Sequence, residues 1–186
     1  MVLLLFSSRT ARAQEHHMLQ PAPFNEVNIN DAFWNPRLKA HATATLATCI
    51  SQLRDSTSHI SNFEKAAGLK EGRHKGFYFD DSDVYKAVEG IVYSLKNNPN
   101  PEYERLTNKW IDLIQRSQQP DGYLNTYYTL NYPNERWTDM EKHEMYCGGH
   151  MIEAAVAHYQ STGKKDFLNI AVKFADYIDR TFGPAK

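Results

Sequence analysis

A shift of 64 residues carries one stretch of this chain onto another without a gap. Val88-Glu89 falls on Ile152-Glu153 and Val92 on Val156. Tyr103 falls on Phe167, Leu106 on Ile170, Trp110 on Phe174, Asp112 on Asp176 and Ile114 on Ile178. A period of this length is the mark of repeated supersecondary units, none of which can bury its apolar face alone. The unit here is a helical hairpin. Asn35-Pro36 predicts the start of a first helix, with Asn as cap and Pro where a missing N–H costs nothing, and it runs to about Asp55. Residues 58–80 read as irregular. A second helix is predicted from near Ser82 with Val84, Val88, Ile91, Val92 and Leu95 at helical spacing, and Asn100-Pro101 opens a third. After Pro120-Asp121-Gly122 and a loop over 119–146, helices return at 151–159 and along the stripe Phe167, Ile170, Phe174, Ile178.

Within each pair the two helices differ. The one at 150–159 is apolar nearly all round, whereas its partner keeps Lys173, Asp176, Asp179 and Arg180 away from a single apolar stripe. Inner helices covered on most sides and outer, amphipathic ones produce this difference. An open solenoid would share it. The long aromatic loop favours a closed ring, because solenoid connections are short and regular. The expected fold is therefore all-α: an incomplete toroid of helical hairpins occupying residues 36–186, after an extended segment at 14–35.

Residues 1–13 resemble the remnant of an export signal. Val2 to Phe6 is apolar, and Ala11-Arg12-Ala13 offers a small-residue cleavage pattern before Gln14. Periplasmic or secreted placement is expected on that basis, and no later stretch approaches a membrane span. A formal net charge of -1 argues against nucleic acid or an anionic membrane as partner. Only Cys49 and Cys147 are present, so there is no disulfide framework. Cys49, among Leu46, Ile50 and Leu53, is expected to be a buried free thiol.

In a ring of hairpins the N-termini of alternate helices gather at one mouth, where backbone N–H groups and helix dipoles face a ligand. Two polar, aromatic segments precede inner helices: residues 77–83 and 143–150. Asp80, Asp81 and Asp83 can be explained as caps of the following helix, or one carboxylate binds sugar hydroxyls. His143-Glu144-Met145-Tyr146-Cys147 departs from a zinc-protease helix, which needs a His where Cys147 stands. A cluster of His143, Cys147 and His150 on a metal is disfavoured, since Gly148-Gly149 is expected to break the aligning helix. Structural hydrogen bonding and ligand binding both remain open for each His. Tyr123, Tyr127, Tyr128, Tyr132 and Trp137 suit either the C–H face of a sugar or packing of their loop onto the ring.

Trp34-Asn35-Pro36-Arg37, the Phe79-to-Tyr85 segment, Gln119 through Leu124, and His143 through Tyr159 occur in an order that resembles the start of glycoside hydrolase family 127, the β-L-arabinofuranosidases. The likeness covers about residues 26–184. It implies an (α/α)6 toroid followed by β-sandwich domains, and release of L-arabinofuranose with retention. It also implies a cysteine nucleophile on a zinc ion held by further cysteines and a glutamate, with a separate glutamate as acid/base. Those positions belong to later parts of the toroid. Six hairpins at the observed period need about 384 residues, so the expectation is an N-terminal fragment, inactive alone, with no zinc ligands of its own. Its partners are an oligosaccharide and the missing C-terminal part of the same chain. His143 and His150 are the candidate hydroxyl-binding residues, with Asp81 and Asp83 behind them. Two other functions fit the same residues: a toroid hydrolase or lyase acting on uronic-acid oligosaccharides, and a non-enzymatic helical-repeat binding module.

Overall fold

The computed structural model describes residues 19–183, and the export-signal pattern of residues 1–13 lies outside them. The described residues are helical, with no strand among them. Helix α1 (Trp34–Ala40) continues through a π-helical turn (His41–Thr45), α2 (Leu46–Ser51) and a second π turn (Gln52–Ser56). There follow α3 (His59–Ala66), α4 (Asp81–Asn97), α5 (Pro101–Ser117), α6 (Thr126–Asn131), α7 (Glu144–Thr162) and α8 (Asp166–Thr181).

The local chemistry of the helix starts is mixed. Asn100 behaves as its sequence predicts: its side chain accepts from the N–H groups of Glu102 and Tyr103, with Pro101 in the first turn. Asn35 does not cap the first helix. Asp31, in the turn before it, accepts from Phe33 N and Trp34 N, and the helix starts a residue before Asn35.

Gly148 and Gly149 do not break a helix either, since α7 runs straight through both. The reason is packing. A Cβ on Gly148 would stand 2.2 Å from the Phe174 ring, so glycine is what lets α7 and α8 approach. Cys49 is also not buried. It is exposed, while Leu46, Ile50 and Leu53 are buried; the widened π turns on either side direct the apolar stripe past it.

Helices α4 and α7 form the most extensive pairing in the fold and run parallel. At one end Lys86 of α4 bonds Tyr146 of α7, and Cys147 lies against the carbonyl of Phe79. At the other end Leu95 of α4 and His158 of α7 border the same cavity. Short turns at 98–100 and 163–165 send the chain back along α5 and α8, which pack outside. The long connections, 57–80 and 118–143, both lie at the N-terminal end of the inner helices, and each contains a short helix (α3, α6). The core between these layers holds Phe63, Tyr85, Trp110, Met151, Phe167 and Phe174, all essentially inaccessible. Full burial of such side chains stabilises by about 2–3 kcal/mol each.

Candidate functional site

The mouth is built by the first turns of α4 and α7 and by the connections that enter them. Those connections are tied down from beneath by buried polar groups. Asp81, which has 2% of its surface exposed, accepts from Thr126 N and from the Thr126 hydroxyl. Across the same hydroxyl sits His74 Nδ1, 3.0 Å away, and His74 Nε2 donates to the carbonyl of Phe77. The chain Asp81–Thr126–His74 thus joins the helix start to both long connections. Burial raises the Asp81 carboxyl to about 6 against the Thr126 hydrogen bonds, and burial lowers the His74 imidazole to about 4.

A second brace supports His143. Buried Glu144 accepts from the Tyr123 hydroxyl and from Trp137 N. Burial raises its carboxyl pKa, while those hydrogen bonds and Arg136 pull the other way. Trp137 and His143 both have φ near +60°, a left-handed conformation uncommon outside glycine. Glu144 bonds one of these two residues and adjoins the other, so it fixes the backbone that presents the His143 ring.

On the open side of these braces lies a polar cluster. His143 Nδ1 is 2.7 Å from the carbonyl of Glu141. A carbonyl only accepts, so Nδ1 carries the proton and Nε2 of the neutral ring is left to accept. The ring packs among Tyr78, Phe79 and Tyr146. Lys86 donates to Tyr146 Oη at 2.8 Å and lies 3.4 Å from Asp83. Burial opposes its charge, but Tyr146 and Asp83 outweigh that and raise its pKa. His59 Nε2 stands 3.3 Å from Asp83 and 3.6 Å from Asp80. Asp80 also accepts from Phe77 N, a contact that needs Gly76, whose Cβ would collide with the carboxylate.

The sequence candidates therefore occupy different depths. His143, Asp83 and His150 reach the mouth. His150 stacks edge-on to Tyr146, with Nδ1 3.3 Å from Glu153. Asp81 turns inward to Thr126 instead of facing open space. None of the acidic residues caps α4 with its side chain: Asp80 folds back to Phe77, and Asp81 is committed to Thr126. Two members of the cluster, His59 and Lys86, were not singled out from sequence. Lys86 carried a usable signal, one turn beyond Asp83 on the same helix. His59 carried none, 24 residues before its partner.

The loop aromatics divide in the same way. Tyr123 and Tyr128 are buried, and Trp137 stacks on Tyr177 against Phe182, so these three pack the loop onto the ring. Tyr132 is exposed. Cys147 is buried and its thiol is pushed up by burial, which leaves it protonated. Among the described residues no three His, Cys, Asp or Glu side chains are grouped so as to hold a metal ion.

Residues 26–186 match the family profile described as the catalytic domain of glycoside hydrolase family 127, β-L-arabinofuranosidase. The chain is 44% identical over 142 residues to a non-reducing end β-L-arabinofuranosidase of Bifidobacterium longum subsp. longum, covering 72% of this chain and 21% of that protein. A solved β-L-arabinofuranosidase of the same family from Geobacillus stearothermophilus superimposes with a TM-score of 0.82 at 43% identity, over 84% of this chain and 26% of the other. A second solved β-arabinofuranosidase of the family gives 0.80 at 41% identity, over 88% and 27%. The chain thus spans about a quarter of the length of the relatives it matches.

Proposed function

Because the chain belongs to glycoside hydrolase family 127, we propose that it is the first part of the toroid of an enzyme that releases L-arabinofuranose from plant-type glycans. In this reading it builds one wall of the sugar pocket. The observation that carries it is His143 at the mouth: its Nδ1 proton is spent on the carbonyl of Glu141, which leaves Nε2 free to accept from a sugar hydroxyl. Tyr146, one turn on in α7, packs its ring on that of His143 and holds Lys86 of α4 at its hydroxyl, so both offer donors beside it. His150 and Asp83 flank them, with Asp81 behind, holding the α4 start in place through Thr126. The zinc–thiolate chemistry implied for the family would come from residues outside this chain, whose own part is to bind and orient.

Exposed apolar side chains on the inner and outer layers support a larger ring. Met145, Val156 and Tyr159 of α7 and Val172 of α8 are 37–49% exposed, where a further hairpin would cover them. Export through the pattern at residues 1–13 belongs to the same proposal.

Sequencing the source gene past codon 186 tests the assignment directly. It stands if the frame continues through more hairpins to a Glu and Cys cluster; a stop codon at that point would leave a binding module. In the complete gene product, His143→Ala is expected to lower kcat/KM on an aryl β-L-arabinofuranoside at least about tenfold, near 1.4 kcal/mol of transition-state binding. Unchanged kinetics would remove His143 from the pocket. Activity that persists with a zinc chelator would favour a carboxylate-based hydrolase instead.

A further inference from the structure

We propose that Phe77 is the platform on which the leaving-group sugar stacks, the sugar joined to the one held at His143. This rests on the reading of the mouth as an arabinofuranosidase pocket and extends that pocket by one sugar. Phe77 leaves 65% of its surface exposed. Single exposed apolar side chains are ordinary, but this one is held in place. Its N–H donates to the Asp80 carboxylate at 3.0 Å, and its carbonyl accepts from His74 Nε2 and from Asp80 N. Its ring lies parallel to that of Phe79, with 3° between the planes and 5.3 Å between the centres. One face is thus partly backed, and the exposed area leaves the other open.

A path of rings leads from Phe77 into the pocket. Phe79 adjoins His143 at 5.8 Å, His143 adjoins Tyr146 at 5.4 Å, and Tyr146 adjoins His150 at 4.6 Å. Phe77 is the outer end of that path, two ring steps from His143. A sugar accepted by His143 covers the inner steps, and the unit linked to it reaches the outer one. The negative face of a benzene ring attracts the C–H bonds of a sugar ring, whose hydroxyls then turn sideways to polar partners. Lys142 supplies such a partner: its ammonium lies 4.7 Å above the ring of Tyr78, which packs edge-on to Phe79 and His143. A protein segment is the poorer occupant. Tyr78 and Phe79 are half-buried, and the neighbouring His74 and Asp80 are buried and polar. Phe77 therefore offers one open ring, the size of one sugar, and not the broad face that a docked helix needs.

The test is selectivity in the complete gene product. It compares the β-L-arabinofuranosyl disaccharide of L-arabinofuranose with methyl β-L-arabinofuranoside, whose leaving group is too short to reach Phe77. Phe77→Ala should lower the ratio of the two kcat/KM values at least about fivefold. Phe77→Leu, apolar but without a flat face, should lower it at least about threefold, and Phe77→Trp should keep it within about twofold of the parent. A ratio unmoved by Phe77→Ala in an active parent would overturn the proposal and leave the His143 pocket standing. Full retention in Phe77→Leu would overturn it too, since any apolar cover would then serve. So would a loss of stability in Phe77→Ala, read by urea unfolding, which would show the ring covered by another part of the protein. A parent inactive on both substrates would strike the arabinofuranosidase reading itself, and this proposal with it, before any substitution is compared.

Discussion

Gly148→Ala is expected to destabilise the chain by about 2–3 kcal/mol, while the same change at the next residue stabilises it by about 0.5–1 kcal/mol. Both glycines lie inside α7, where alanine is the better helix former. The difference is entirely in what the new methyl meets. At Gly149 nothing lies within 4 Å. At Gly148 the methyl would come within 2.2 Å of one Phe174 ring carbon and 2.8 Å of another. Phe174 cannot swing away, being enclosed by Tyr123, Trp137 and Tyr177. The helices must part, and the core layer between them must loosen. Urea unfolding followed by circular dichroism gives both numbers. Adding Phe174→Leu to Gly148→Ala should recover part of the loss, a coupling of about 1 kcal/mol or more. Equal stability of Gly148→Ala and the parent would mean that α7 and α8 are not in close contact.

The second large effect is a pH dependence that Asp81→Asn uncovers. In the folded chain Asp81 holds its proton to about pH 6, whereas an ordinary carboxyl loses it near 3.8. The stability it contributes is fully present below 3.8 and is lost as pH rises through 6, a change of about 3 kcal/mol. His74 works in the opposite sense. Its folded pKa of about 4 lies below the ordinary 6.5, so its contribution is present above 6.5 and lost as pH falls through 4. The two slopes oppose each other over one window, and the parent should show little net trend there.

Asparagine cannot titrate, yet it can still accept from Thr126 N and donate to the Thr126 oxygen. Relative to the parent, Asp81→Asn should therefore gain about 2–3 kcal/mol between pH 4 and pH 7. Its own stability should climb with pH, driven by His74. Parallel pH profiles for the two proteins would show that Asp81 ionises normally.

The repeat was readable in the sequence because it rests on side-chain type at helical period, and Val88, Trp110, Ile152 and Phe174 each state it locally. The same holds for the cap at Asn100. What escaped reading depends on partners remote in the chain. Gly148 looks like a breaker until Phe174 is placed against it. Asp81 and Asp83 look equivalent, two residues apart, until Thr126 claims one and leaves the other at the surface. The short helices α3 and α6 carry too few apolar residues to show a period, and their position is set by what they cover. His59 enters the mouth only through tertiary packing, which no local window contains.

The unequal connections at the two ends give the molecule an asymmetric capacity for change. The turns at 98–100 and 163–165 are three residues long and bound to helix ends, one by the Asn100 cap and the other by Gly163 in a left-handed conformation. Lengthening either would displace a whole hairpin. At the other end, the connections at 57–80 and 118–143 already wander, and an insertion there adds only slowly to the cost of closing the loop. New specificities can thus be tried by lengthening or rewriting these two segments while the frame stays as it is. In a laboratory library, diversity belongs at that rim, and the short turns are best left untouched.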